Sequence, residues 1–264
     1  MGNLRSLGLV GAPNARDLGG LSVADGRTVK SGLVFRAPAL GRLTDADVAA
    51  LDRLGLTDLL DLRHGSEIEI EPPDRLPAGP HVAHIPVFDP AHPVFIYVSA
   101  LLTGRDPDRY GPLGAEGSPG AMRTIYRWFV TAPAARAAFA TALRRIAATS
   151  GPLLYHCSAG KDRTGWLSAL LLGALGADRA TIVEDYLLTN EIGAERMEKL
   201  IGVLGDRKGV PPELMRPLLH AAPEYLDASF VQVEADYGTL DRFLDEGLGL
   251  AGDELAALRA RLLE

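Results

Sequence analysis

Tyr155-His156-Cys157-Ser158-Ala159-Gly160-Lys161-Asp162-Arg163-Thr164-Gly165 is the stretch on which the reading of this chain turns. Leu153 to His156 reads as a short strand, and Thr164 to Leu175 as an apolar helix closed by Gly176. Five residues separate Cys157 from Arg163. A loop of that length can curl until its backbone N–H groups point at one centre. Glycines at 160 and 165 permit dihedrals and close approaches that other residues resist. The helix that follows adds its positive end.

Such a cradle suits a tetrahedral oxyanion, bound by residues 158–164. Its converging N–H groups, with Lys161 and Arg163, favour a thiolate, the form of cysteine that attacks. Arg163 offers a planar fork to two phosphate oxygens and to the charge that develops on them. Thr164 is placed to hydrogen-bond the sulfur, and His156 to organise the loop. A buried structural cysteine beside a charge pair is the plainer alternative, and it leaves the glycines, the spacing and the strand-to-helix context without a common cause. No glycine-rich run ends in Lys followed by Ser or Thr, so this is not a nucleotide-binding P-loop. A sulfur-transfer loop carrying a persulfide is a further alternative, disfavoured by Arg163-Thr164-Gly165.

Outward from the loop, the pattern is that of an α/β fold. Thr44 reads as a helix N-cap, with Asp45 and Asp47 in the first turn and Gly55 at the end. Leu33–Arg36, Leu56–Leu62 and His84–Phe88 read as strands, and Asp25-Gly26 as a turn between Val23 and Val29. Residues 67–80 read as a polar, proline-rich surface connection. Helices are predicted over 121–130, over 133–148 with Thr131 as cap and Pro133 in the first turn, and over 180–198, with loops at 205–212 and 247–252. The expectation is one domain over 1–264: a central, mostly parallel sheet flanked by helices, with a lid-like insertion at about 89–120.

The segment His156–Gly165 resembles the signature loop of the protein tyrosine phosphatase superfamily. Asn14-Ala15-Arg16-Asp17-Leu18-Gly19-Gly20, Phe35-Arg36, Asp61-Leu62-Arg63, Asp185–Asn190 and the region from Tyr237 to Arg259 resemble its bacterial and fungal branch. The likeness covers nearly the whole chain outside 90–120. Members of that branch often carry Ser after the strand arginine, where this chain has Ala37. The resemblance implies a phosphatase that uses Cys157 as nucleophile, without a metal or other cofactor. Mycobacterial members act on phosphotyrosine, on phosphoserine or phosphothreonine, and on phosphoinositides. A phosphorylated protein or a phosphoinositide is therefore the implied substrate, and inorganic phosphate the product. Lys161 resembles the second cation of phosphatases that handle phosphoinositides.

Two carboxylates stand out for proton transfer. Asp89 sits in Phe88-Asp89-Pro90 at the mouth of the insertion, and Asp162 lies inside the loop itself. Asp61 and Arg63 end a strand on the side where α/β folds place their sites. Arg63 reads either as a phosphate contact or as the ion-pair partner of Asp17 or Asp61. Arg16, Asp17 and Arg36 read as scaffolding, and Asp185, Tyr186 and Asn190 as support from a helix. A catalytically weak phosphate-binding module is the alternative to an enzyme.

Composition limits the partners. The formal net charge of -7 offers no basic surface for nucleic acid. The single cysteine rules out an internal disulfide framework and a cysteine-rich zinc site. No run of 18 apolar residues is present, and the first 20 residues hold no sustained apolar stretch. The expectation is no integral membrane association, and a cytoplasmic location or export without a recognisable signal peptide.

Overall fold

The computed structural model describes residues 5–103, 116–208 and 211–264. Five strands form one sheet: β1 (Arg16–Asp17), β2 (Val34–Ala37), β3 (Asp58–Asp61), β4 (His81–His84) and β5 (Leu153–His156). Their order is β1-β2-β5-β3-β4. All pairs are parallel except β1 with β2, so the sheet is mixed and mostly parallel, as the sequence predicts. The central strand β5 is buried at every residue. Its side chains alternate as a pleated strand requires. Leu153 and Tyr155 join the larger apolar cluster on one face, and Leu154 joins the smaller cluster on the other. Val34 and Leu60 follow the first pattern; Phe35 and Leu59 follow the second.

Helices α1 (Asp45–Asp52) and α2 (Gly65–Ile68) follow β2 and β3, and α3 (Pro93–Thr103) follows β4. Then come α4 (Gly117–Thr131), α5 (Pro133–Ala148), α6 (Asp162–Leu175), α7 (Arg179–Lys208), α8 (Pro212–Leu219) and α9 (Pro223–Tyr237). A short turn α10 (Leu240–Arg242), a π-helical turn (Phe243–Gly247) and α11 (Gly252–Leu262) end the chain. Thr44 caps α1 by accepting from the Asp47 N–H, and Asp47 returns a bond to the Thr44 N–H. Gly176 closes α6 in the left-handed region at φ 92°.

Several expectations shift. The strand after β3 is His81–His84, not His84–Phe88. Its residues pair in register with β3, while Ile85 and Val87 leave the strand yet still donate to the Asp61 and Leu62 carbonyls. Apolar content marked the buried tail of this segment rather than its exposed edge strand. Thr131 does not cap α5; the cap position is Ala132, and Pro133 occupies the first turn. Val23 and Val29 lie beside isolated bridges instead of paired strands. Helix α7 runs from Arg179 to Lys208, through the first part of the loop expected at 205–212. The predicted lid-like stretch of 89–120 includes α3 and the start of α4, while 104–115 lies outside the described residues.

Candidate active site

Strand β5 delivers Cys157 to the carboxyl end of the sheet, between β2 and β3, where open α/β sheets place their ligand sites. The chain then turns through 157–161 into α6. Among the described residues, no protein acceptor takes the backbone N–H of any residue from 158 to 163. All of these residues but the exposed Ala159 are buried or half-buried, and such N–H groups left free in succession are uncommon unless a ligand receives them. Cys157 is 2 % exposed, and Thr164 Oγ1 donates to its Sγ at 3.2 Å.

Gly160 makes the turn possible. Its φ is +67°, and an added Cβ would lie 2.6 Å from the Pro38 nitrogen and 2.7 Å from the Ala37 carbonyl carbon. Its carbonyl accepts from Arg36 Nη2 at 2.9 Å and from Asn14 Nδ2 at 3.1 Å. Both donors are buried. Behind them lies Asp185, which bonds Arg36 at 2.7 Å, Arg16 at 3.2 Å and Arg5 at 2.8 Å. Burial alone would raise the Asp185 pKa, but Arg16, Arg36 and Arg5 outweigh it and hold the carboxyl well below the usual range. Burial and the neighbouring Arg36 pull Arg16 down to about 10. Asn14 and Arg16, the strand arginine Arg36 and the helix aspartate Asp185 thus meet as one buried scaffold behind Gly160. Asp17 stands apart from that hub, accepting from the Gly19 and Gly32 N–H groups. Asn190 bonds both backbone groups of Ala221.

Arg163 meets a residue that the sequence reading left outside the site. Glu67 Oε2 and Oε1 accept from Arg163 Nη1 and Nη2, each at 2.6 Å. Glu67 also accepts from Ser158 Oγ at 2.8 Å, so one carboxylate ties both ends of the loop. Burial pushes the Glu67 carboxyl up, but Arg163, the His64 N–H and Ser158 outweigh it and bring it down to about 2. Burial works against the Arg163 charge, yet Glu67 and then Cys157 raise its pKa further. A guanidinium has five N–H donors. Glu67 and the Leu62 carbonyl take three of them, and the Nε–Nη2 edge keeps two without an acceptor among the described residues. That edge has the fork geometry that grips two phosphate oxygens.

The segment holding Glu67 was predicted to be a surface connection because it is polar and rich in proline. It opens instead with α2, where Glu67 accepts from the His64 N–H and the His64 ring accepts from the Ser66 N–H. The signal in the sequence was a glutamate three residues after a capping side chain, immediately beyond a strand end.

The remaining residues sort by their contacts. Asp162 Oδ1 accepts from Tyr126 Oη at 2.9 Å and lies 3.4 Å from Lys161 Nζ. Tyr126 in turn shares a 2.7 Å hydrogen bond with Tyr186. Burial and the Asp162 charge push Tyr126 well above its ordinary value, so it stays a neutral donor. Asp89 turns the chain ahead of α3: its carboxylate accepts from the Ala91 N–H and its carbonyl from the His92 N–H. Lys161 does not present a second cation to a substrate. Its side chain is 1 % exposed, and Nζ donates to the Leu218 and His220 carbonyls at 2.5 and 3.1 Å, at the end of α8. Burial draws its pKa down, with Asp162 partly offsetting that.

Arg63 bonds Asp61, Glu71 and Asp74, settling the choice of partner in favour of Asp61 over Asp17. His156 Nδ1 lies 3.2 Å from the Cys157 carbonyl, and burial lowers its pKa. Asp61, Asp74 and His156 hold three potential ligand atoms within 4.8 Å of one another. Arg63 already donates to both carboxylates, so a guanidinium stands where a cation would bind.

A strand-loop-helix cradle with a cysteine at its start and an arginine at its end suits a tetrahedral oxyanion such as phosphate. The profile of the tyrosine phosphatase family matches residues 7–264, and the chain belongs to that family as a protein tyrosine phosphatase. It is 34% identical over 265 residues to the triple specificity protein phosphatase PtpB of Mycobacterium tuberculosis, covering 92% of this chain and 94% of that one. It is 33% identical over 254 residues to a provisionally named tyrosine-protein phosphatase of Cupriavidus necator, covering 95% and 85%. No helix among the described residues is long and apolar enough to cross a membrane.

Proposed function

We propose that this phosphatase works through a cysteinyl-phosphate intermediate, with Cys157 as nucleophile, Arg163 as phosphate clamp and Asp162 as general acid and base. The observation that carries the reading is the run of free N–H groups over 158–163 beside the open edge of Arg163. Together they match the oxygens of a phosphoryl group and the charge that grows on them during transfer. Cys157 Sγ attacks phosphorus as the bond to the ester oxygen breaks, and Asp162 gives that oxygen a proton. Water then loses a proton to Asp162 and attacks phosphorus, the S–P bond breaks, and phosphate leaves. Thr164 Oγ1, already donating to Sγ, stabilises the thiolate that departs.

Asp162 is preferred to Asp89 because it sits in the loop and is oriented by Tyr126. Asp89 has one carboxylate oxygen accepting from the Ala91 N–H in the turn before α3. The substrate is a phosphorylated protein, phosphotyrosine foremost, with broad specificity that the name of the mycobacterial relative supports. The buried Lys161 removes the main sequence argument for a phosphoinositide preference. The test is steady-state turnover of a phosphotyrosine peptide, a phosphoserine peptide and a soluble phosphoinositide, with chelator present, by wild type and by Cys157→Ser, Asp162→Asn and Asp89→Asn. The reading expects Cys157→Ser to be inactive on all three. It expects Asp162→Asn to lose more than Asp89→Asn, most of all on the alkyl ester. Phosphate or vanadate binding without turnover would instead mark a recognition module.

A further inference from the structure

A cavity of about 660 Å3 opens beside the phosphate loop, whose residues Ser158, Ala159 and Lys161 form part of its wall. That volume is in the range of sites that enclose a whole small ligand, and it exceeds what a phosphoryl group needs. The rest of the wall is mainly apolar. Leu102 comes from α3, Met197, Leu200 and Val203 from α7, and Leu219 from the end of α8. Leu102, Leu200 and Val203 are 38%, 39% and 45% exposed, so three large apolar side chains face solvent around one opening.

Several polar groups in this wall are spent, while two exposed arginines, Arg42 and Arg196, also line it, Arg196 donating to the Gly11 carbonyl at 3.3 Å. Asn14 bonds Arg16 and Gly160, Glu71 pairs with Arg63, Lys199 with Glu195, and Lys161 with the end of α8. An extended peptide would bring an N–H and a C=O per residue against the apolar side chains of α3 and α7, which is costly. A hydrocarbon chain brings none.

We infer that the cavity beside the loop takes the apolar tail of an amphiphilic phosphate monoester, a phosphoryl group on a single hydrocarbon chain, with the phosphate in the 158–164 cradle. This rests on the phosphatase reading of that cradle, and it adds a second substrate class beside phosphoproteins. Lys161 joins the two halves: its backbone belongs to the loop, and its ammonium holds the last carbonyls of α8, the helix that brings Leu219 to the wall.

The test separates this inference from the activity it rests on. Binding of n-alkylphosphonates, which cannot be hydrolysed, is measured by titration calorimetry over chain lengths kept below micelle formation. Affinity is expected to rise by up to about fourfold per added methylene, the ratio that corresponds to about 0.8 kcal/mol for each CH2 buried. Leu200→Ser with Val203→Ser is expected to flatten that slope, read as the ratio of long-chain to short-chain affinity within each protein. The same series as 4-alkylphenyl phosphates, whose leaving groups stay nearly constant, is expected to give a parallel rise in kcat/KM. A slope near zero in both series, with phenyl phosphate still hydrolysed, overturns the inference and leaves the phosphatase standing. So does a rise in kcat/KM for phosphopeptides with apolar flanks alone. A steep phosphonate slope with no hydrolysis of any ester would support the cavity and defeat the phosphatase reading.

Discussion

Replacing Glu67 by Gln removes one negative charge from a bidentate pair and leaves the side chain's shape almost unchanged. The variant approximates the protein with Glu67 protonated, so its cost follows from the carboxyl's displacement. A fall from the ordinary 4.5 to about 2 corresponds to about 3 kcal/mol of stability at pH 7. The sign is that of a depressed carboxylate. The contribution is fully present above pH 4.5 and is lost as pH falls toward 2, dropping to about half at pH 3. Urea unfolding of wild type and Glu67→Gln at pH 7, 5, 4 and 3 reads this directly. The gap in stability should be flat between pH 7 and 5 and about halved at pH 3. A gap that does not change with pH, or no gap at pH 7, refutes the claim that an ionised Glu67 holds Arg163. Activity adds a second reading. Arg163 loses the partner that orients its open edge, so KM for any phosphate ester should rise.

Gly160→Ala should be destabilised by about 2 kcal/mol or more and lose phosphate binding, since the left-handed φ and the 2.6 Å approach to Pro38 both resist a Cβ; a melting curve with and without vanadate checks it. Asp185→Asn leaves Arg16 and Arg36 buried without their counter-charge and should cost about 3–5 kcal/mol, measured by denaturant titration. Tyr126→Phe frees the Asp162 carboxylate and should lower kcat about tenfold on an alkyl phosphate while sparing an aryl phosphate, which needs little protonation. Equal losses on both esters would point to a general disturbance of α4.

The loop and the strand under it were legible because they depend on local chemistry. The Cys157–Arg163 spacing, Gly160 and the apolar strand Leu153–His156 are contiguous in sequence, and the structure keeps them contiguous in space. The sheet class followed from short apolar runs alternating with helical ones. What remained hidden is what the fold assembles from afar. Glu67 reaches Arg163 across 96 positions, and Tyr126 reaches Asp162 across 36. No periodicity encodes either contact. Lys161 shows the reverse error: its position in the loop suggested a substrate cation, but its long stem lets the ammonium turn away to the end of α8.

The most direct test of the central claim is to catch the intermediate. Wild type and Asp162→Asn are mixed with an aryl phosphate, quenched within milliseconds in alkaline denaturant, digested and analysed by mass spectrometry. One phosphoryl group should appear on the peptide containing Cys157, more of it in Asp162→Asn, where water is activated poorly. Turnover at the wild-type rate by Cys157→Ser, or a phosphoryl group on any other side chain, would contradict the account.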